Sequence, residues 1–181
     1  IYYPNRTNID LQNPHLLTIG NHVWMTGPVT ILTHDFSWAV LKHKYGELCG
    51  NQKPVKIGNN VFLGWGSCIL CGVNIGDNVI IGAQALVTKE CEPNSVYAGN
   101  PARKIMSLDE YYDKRKESQL EEAEAFVKLF YERHRRYPKE QDLREYFYLF
   151  SDGKQMDSIY RRQLEVSGNY DESLSRLQEM D

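Results

Sequence analysis

Residues 57–87 read IGNNVF LGWGSC ILCGVN IGDNVI IGAQAL V, in which an aliphatic side chain returns at every sixth position. A second series of small or branched residues follows four positions behind the first, from Val61 to Cys91. Helices repeat about every 3.6 residues and strands every two, so this period requires a chain that turns a corner at fixed intervals and stacks on itself. The stretch therefore predicts a parallel β-helix.

The repeat is interrupted once. An earlier block of the same repeat lies between Ile19 and Ile31. The number of residues from Ile31 to Ile57 is not a multiple of six, so the later block is shifted by two positions relative to the earlier one. If three such faces make one coil, each buried aliphatic lies above its counterpart about 18 positions earlier. The break therefore predicts an inserted loop, over about residues 34–54, that protrudes from a corner of the coil.

Composition narrows the class of protein. Residues 1–106 carry 8 Lys and Arg against 6 Asp and Glu, and residues 107–181 carry 13 against 18, which is not typical of a nucleic-acid binder. No stretch is long and apolar enough to cross a membrane. The four cysteines have no disulfide-rich spacing, and Cys68 and Cys71 form a lone CxxC that favours packing over a metal site. We expect a cytoplasmic protein; the start at Ile1 leaves an upstream segment open.

A helical pattern begins at residue 107. Ser107 and Glu110 have the spacing of a capping box, and apolar residues then follow helical spacing from Leu120 to Tyr131. Pro138 ends this amphipathic helix and can open a second one that extends to Phe150.

Weaker helical stretches are expected near residues 154–165 and 170–179. The sequence thus predicts a mainly β domain over residues 1–106 and an α-helical extension over residues 107–181. The aromatic side chains of the extension favour packing over binding an acceptor.

His34 stands where the regular repeat gives way to the inserted loop, shortly after Ile31. Imidazole is the side chain best suited to accept a proton near neutral pH, so a histidine at this junction is a candidate general base. A solvated loop histidine is the plain alternative, and the residues alone favour neither.

Four segments carry a resemblance to a known family: residues 57–64 (IGNNVFLG), 71–83 (CGVNIGDNVIIGA), 87–89 (VTK) and 98–103 (AGNPAR). They closely resemble the hexapeptide-repeat acyltransferases, and within them the galactoside, maltose and capsular-polysaccharide O-acetyltransferases. The resemblance covers roughly residues 1–106. It implies a left-handed parallel β-helix, a homotrimer, and acetyl-CoA bound between neighbouring subunits.

By this resemblance His34 is the catalytic histidine, which takes the proton of an acceptor hydroxyl while the oxygen attacks the thioester directly. The backbone N–H of Trp65 is at the position that donates a hydrogen bond to the oxyanion formed from the acetyl-CoA thioester. The family commonly has a small residue at this position. Asp35 is expected to point away from His34, so a backbone carbonyl is the expected partner that orients the imidazole.

For acetyl-CoA, the resemblance implies a backbone contact at Ala83, later contacts from Thr88 and Lys89, and phosphate contacts from Arg103 and Lys104. The family's second arginine is replaced by Met106 in this chain, and Lys104 is expected to compensate.

For the acceptor, Tyr3 and Asn5 resemble a Tyr-x-Asn segment that touches the sugar. Phe62 resembles an aromatic wall of the site, and Glu47 matches a Gly-Glu in the family's loop.

Several functions compete. The favoured one is O-acetyl transfer from acetyl-CoA to a hydroxyl of a sugar or polysaccharide, of capsule or lipopolysaccharide type, without a metal. Acetylation of an antibiotic, or N-acetylation of an amino sugar, would use the same scaffold with another acceptor pocket. A γ-type carbonic anhydrase, whose zinc would need His15, His22 and His34, and a non-catalytic scaffold are the remaining alternatives.

Overall fold

The structure is a computed structural model that describes residues 7–150, 156 and 158–178. The chain forms two compact units, which divide after Tyr111. Within the described part of the chain, no helix is long and apolar enough to span a membrane.

The first unit is a parallel β-helix with three faces, each of them a sheet of stacked strands. Face one holds β2, β5 and β8, face two holds β3, β6, β9 and β11, and face three holds β1, β4, β7 and β10. A last strand, β12, pairs antiparallel with β11 at the edge of face two. In chain order the strands are β1 (Asn8–Ile9), β2 (Leu17–Ile19), β3 (Val23–Met25), β4 (Thr30–Ile31), β5 (Val55–Ile57), β6 (Val61–Leu63), β7 (Cys68–Ile69), β8 (Asn74–Ile75), β9 (Val79–Ile81), β10 (Leu86–Val87), β11 (Ser95–Ala98) and β12 (Arg103–Ser107).

The register of the strands explains the six-residue period. Ile57 pairs with Ile75 on face one and Leu63 with Ile81 on face two, so each aliphatic of the series lies beside the third one after it. Three repeats therefore make one regular coil. Both series predicted from the sequence point into the coil, because each of their residues is at most 2% exposed. They are Ile57, Leu63, Ile69, Ile75, Ile81 and Val87, and Val61, Ser67, Val73, Val79, Ala85 and Cys91.

Glycine follows the buried aliphatic where two coils approach most closely. At the corner between faces one and two, a Cβ on Gly20 would lie 2.6 Å from the Gly58 carbonyl oxygen. One coil later, a Cβ on Gly58 would lie 2.8 Å from the Gly76 carbonyl carbon. Real Cβ atoms do not approach backbone atoms so closely, so the stacking itself requires glycine here.

The same corner carries a ladder of asparagines in the left-handed conformation. Asn60, Asn78 and Asn94 have φ between 53° and 57°, a region that asparagine tolerates better than most residues. The Asn60 side-chain amide donates to Asn78 at 2.8 Å, and that of Asn78 donates to Asn94 at 2.9 Å. His22 has the same conformation in the first of these coils, with φ 52°.

The inserted segment leaves the coil after β4 and returns at β5. Ile31 pairs with Ile69 on face three, just as Ile69 pairs with Val87 one coil later, so the insertion lengthens its coil without disturbing the register. The expected loop contains a helix, α1 (Trp38–Tyr45), that Gly46 ends with φ +78°. The segment is closed at its base, where the Lys53 N–H donates to the Thr33 carbonyl oxygen at 3.0 Å.

The helical extension begins as its sequence predicts. The Ser107 hydroxyl accepts the Glu110 N–H at 3.1 Å, and Glu110 Oε2 accepts the Ser107 N–H at 2.7 Å, which completes the capping box. Helix α2 (Leu108–His134) follows, but Leu120 and Tyr131, expected on its buried face, are exposed.

The second unit has its own apolar core, to which α2, α3 (Ser158–Ser167) and α4 (Tyr170–Gln178) contribute. The α-helix expected between Pro138 and Phe150 is instead two 3₁₀ helices, Glu140–Asp142 and Arg144–Leu149. Arg144, at the start of the second, has φ +56°, which interrupts a continuous α-helix. The buried residues of this core are Leu143, Phe147, Met156, Tyr160 and Leu177.

We expect Gly20→Ala to lower the free energy of unfolding by roughly 1–3 kcal/mol, because the added methyl group would press on the backbone of the next coil. Gly50→Ala is the matched control, since a Cβ at Gly50 meets no atom within 4 Å. That change should stay within about 0.5 kcal/mol of the parent. Urea unfolding of the three proteins measures both effects, and equal stability of the two variants would contradict this close stacking.

Candidate active site

The corner where the inserted segment leaves the coil holds a histidine and a carboxylate in contact. His34 follows β4, forms a β-bridge with Gln52, and exposes 24% of its side chain. Its Nδ1 lies 2.5 Å from Oδ2 of Asp10. The other ring nitrogen, Nε2, has no hydrogen-bond partner among the residues that the structure describes.

Asp10 reaches this corner because β1 pairs in parallel with β4, with Ile9 beside Ile31. The Asp10 N–H donates to the Ile31 carbonyl oxygen at 3.0 Å, so the residue lies at the level where the inserted segment begins. Only 6% of the Asp10 side chain is exposed. A carboxylate so buried needs hydrogen-bond donors to stay charged.

Those donors are present. Oδ2 of Asp10 accepts the Thr33 hydroxyl at 2.6 Å and the Thr33 N–H at 3.1 Å, and Oδ1 accepts the Gln12 N–H at 3.1 Å. The Thr33 hydroxyl contributes most to lowering the Asp10 pKa from 3.8 to about 2, against the opposing effect of burial. Asp10 is therefore charged at neutral pH, and its charge favours the His34 tautomer that carries the proton on Nδ1.

The expectation that a backbone carbonyl orients His34 is therefore wrong, because Asp10 does so. Asp35 points elsewhere: its Oδ1 accepts the Ser37 N–H at 2.9 Å, and its Oδ2 accepts the side-chain amide of Asn51. Sequence reasoning missed Asp10 because it belongs to the preceding coil, far from His34 along the chain and outside any motif. The available signal was its place directly after a strand of that coil.

Trp65 lies at another corner, between β6 and β7. Trp65 is 54% exposed, and its ring lies against Gly27 of the preceding coil, where any Cβ would collide with the indole. The Trp65 carbonyl oxygen accepts the Gln84 N–H at 2.8 Å, whereas its own N–H has no partner among the described residues. This N–H is therefore a donor available to an external oxygen.

Ala83 lies one coil above Trp65 at the same corner and is exposed. Its backbone approaches that of the coil below, since a Cβ on Gly64 would lie 2.6 Å from the Ala83 nitrogen. Phe62, in β6, is half-buried and lines a groove of about 220 Å³ with Trp24.

Three cations predicted to contact the cofactor come together near the end of the coil. Lys89, Arg103 and Lys104 line one depression of about 190 Å³. Lys104 Nζ lies 2.9 Å from a Glu92 carboxylate oxygen, and this hydrogen bond raises the pKa of Lys104. Thr88, directly before Lys89, is exposed and follows β10.

The remaining candidates are not brought to the His34 corner by an observed contact. Glu47 is exposed on the inserted segment, and Tyr3 and Asn5 lie outside the described residues. Within the described residues, no group of three or more His, Cys, Asp or Glu side chains is placed to hold a metal ion.

Comparison with known proteins supports the six-residue repeat predicted from the sequence. The family model described as the hexapeptide repeat of succinyl-transferase matches residues 54–89. The chain is 44% identical over 118 residues to Protein CapG of Staphylococcus aureus, a match that covers 65% of this chain and 66% of that protein. It is 37% identical over 109 residues to galactoside O-acetyltransferase of Escherichia coli (strain K12), which covers 60% of this chain and 52% of that protein.

Among solved structures, galactoside acetyltransferase in complex with coenzyme A shares 35% identity, covers 61% of this chain and 52% of that chain, and has a TM-score of 0.49. The chain thus spans about half to two thirds of the length of these relatives. The segment matched by the family model contains the six-residue repeat from β5 to β10. The chain thus carries the hexapeptide repeat, and over this part it is similar to the acetyltransferases that its sequence resembles.

Proposed function

We propose that the chain is an acetyl-CoA-dependent O-acetyltransferase that acts on a hydroxyl of a sugar or polysaccharide. The observation that carries this proposal is the contact between His34 and Asp10. The carboxylate holds Nδ1 and leaves Nε2 without a partner among the described residues. An imidazole held in this way has Nε2 available to accept a proton from a hydroxyl.

The reaction needs one base. Nε2 of His34 takes the proton of the acceptor hydroxyl as its oxygen attacks the thioester carbonyl carbon of acetyl-CoA. The tetrahedral intermediate then collapses with cleavage of the carbon–sulfur bond, and the imidazolium returns the proton to the departing thiolate. Asp10, 2.5 Å from Nδ1, stabilises the imidazolium in between.

The developing oxyanion needs a donor, and the Trp65 N–H is the candidate that the family resemblance names. His34 follows a strand of face three, whereas Trp65 and Ala83 follow strands of face two, so in one chain they occupy different corners. A site that uses both residues therefore requires a second copy of the chain. This supports active sites between copies of the chain, as in the homotrimer of left-handed β-helices that the family resemblance implies.

Lys89, Arg103 and Lys104 are the proposed ligands of the CoA phosphates. Their side chains line one depression although they come from two separate strand ends, and clustered cations suit a group with several phosphate charges. Lys104 already forms an ion pair with Glu92, so Arg103 is the stronger candidate for binding the CoA phosphates. Thr88 and Ala83 would contact the pantetheine arm.

The acceptor is proposed to be a saccharide because the relatives at 37–40% identity include two galactoside O-acetyltransferases. Phe62, half-buried beside Trp24, offers an aromatic surface of the kind that stacks on sugar rings. Glu47, Tyr3 and Asn5 stay predictions as acceptor contacts, as does the cytoplasmic location.

We expect His34→Ala to lower kcat by roughly 10²–10⁴-fold, the usual contribution of a general base. Thiol release from acetyl-CoA, measured over a panel of mono- and oligosaccharides, detects the loss. His22→Asn is the matched control, because His22 is exposed and shares its backbone conformation with Asn60 and Asn78. Full activity in His34→Ala with a good acceptor would exclude this mechanism.

Asp10 should make the free energy of unfolding depend on pH in the acidic range. Its folded pKa of about 2 lies below the ordinary 3.8, so the stability it contributes is complete above the ordinary value and is lost as the pH falls through about 2. We therefore expect the unfolding free energy to fall less between about pH 5 and pH 2 in Asp10→Asn than in the parent. Asp109→Asn, at an exposed carboxyl, should retain the parental slope. Equal slopes for all three proteins would contradict the buried carboxylate.

We expect Arg103→Ala to raise the Michaelis constant for acetyl-CoA by about tenfold with a smaller change in kcat, because ground-state binding of the phosphates is lost. Steady-state kinetics at saturating acceptor measures both constants. Lys56→Ala, at an exposed position of β5, is the control for loss of one positive charge. A large fall in kcat at an unchanged Michaelis constant would contradict the assignment of Arg103 to CoA.

A further inference from the structure

The helical unit contains a cavity of about 680 Å³ whose lining includes none of the residues proposed above for acetyl transfer. Helix α2, the 3₁₀ helix Arg144–Leu149 and helix α4 each contribute part of its wall. The side chains that matter for its chemistry are Tyr112, Lys116, Gln119, Tyr148, Glu172 and Arg176.

Two cationic side chains of the cavity wall have donor groups without a protein partner among the described residues. Arg176 donates from Nε to Glu172 at 2.8 Å, and its two Nη groups make no hydrogen bond to the described residues. Lys116 forms no ion pair with the described residues, and its Nζ lies 5.7 Å from the centre of the Tyr112 ring. Donors that are left without protein partners around one cavity are suited to an anionic group.

This charge is local. Residues 112–181 carry 13 Lys and Arg against 16 Asp and Glu, so the segment as a whole is acidic. The cavity concentrates cations against that background: Lys116, Arg176 and Arg115, whose guanidinium binds Glu122, face a wall whose carboxylate is Glu172. A general excess of basic residues does not explain the arrangement.

Two aromatic rings complete the wall. Tyr112 is 51% exposed on α2. Tyr148 lies on the 3₁₀ helix, and its hydroxyl donates to the Ser173 carbonyl oxygen at 2.9 Å, which ties that helix to α4 and fixes the ring. Gln119 adds a side-chain amide. Aromatic faces next to amide and cationic donors are the surfaces on which an acidic sugar ring can both stack and form hydrogen bonds.

We propose that this cavity binds an acidic saccharide unit of the acceptor, with Lys116 and Arg176 holding its anionic group and Tyr112 and Tyr148 contacting its ring. This rests on the proposed function, because it names the class of acceptor as an acidic glycan. CoA is a poorer candidate ligand, since the cluster of Lys89, Arg103 and Lys104 is available for its phosphates.

A second glycan-binding site on the helical unit would favour polymeric acceptors over short ones. Because both units belong to one chain, a long glycan that is bound there stays tethered to the protein, so long acidic acceptors should have a lower Michaelis constant than short or neutral ones. The acetyl transfer step itself should be unaffected.

The test is isothermal titration calorimetry on the full chain with a short oligogalacturonate and a neutral malto-oligosaccharide of equal length. We expect the oligogalacturonate to bind more tightly and the double variant K116Q/R176Q to weaken it by about tenfold or more. K114Q, on the same helix but outside the cavity wall, should bind as the parent does. A circular dichroism melt establishes that each variant folds.

Equal binding of the acidic and neutral sugars would overturn the proposal, as would binding that the double variant leaves unchanged. Binding of inorganic phosphate or CoA in place of the saccharide would overturn it too. Y112A serves as a second variant and should weaken the oligogalacturonate while leaving its salt dependence unchanged.

The same proteins separate this proposal from the proposed function. Thiol release from acetyl-CoA with a short neutral sugar should be equal in the parent and K116Q/R176Q. If the parent acetylates sugars but does not bind oligogalacturonate, the cavity proposal fails alone. If it binds oligogalacturonate through Lys116 and Arg176 but acetylates no acceptor, the proposed function fails and the ligand of the cavity stands.

Discussion

The fold depends on one constraint, which is that no coil of the β-helix has a core until the next coil covers it. Ile57 is buried because Ile75 lies above it, and Leu63 is buried because Ile81 does. The same stacking brings backbone against backbone at the corners, so a side chain at Gly20 would press on the backbone of Gly58. The period of the sequence is the repeat of this contact along the chain.

Catalytic chemistry is proposed where that stacking is interrupted. The insertion lengthens one coil, yet the strands on either side keep their register with the coils around them. Asp10 and His34 meet because β1 and β4 are neighbours on face three. The carboxylate can stay charged while buried because Thr33 and Gln12 donate to it, which makes it a fixed partner for the imidazole.

A β-helix also separates groups by face and corner. His34, the proposed base, lies after face three, the Trp65 N–H lies after face two, and the cluster of Lys89, Arg103 and Lys104 lies near the end of the coil. This separation is the reason for proposing that acetyl-CoA binds between copies of the chain. The helical unit, with its own core and its own cavity, adds a surface with a different composition.

The sequence by itself determined the buried series, the period of the coil, the place of the insertion and the capping box at Ser107, because each of these depends on a fixed spacing along the chain. It also identified His34 as a candidate base. Tertiary structure alone decided that Asp10 holds His34, that the insertion contains α1, and that Lys116 and Arg176 share a cavity. These contacts join residues whose separations follow no period, so only the folded chain brings them together.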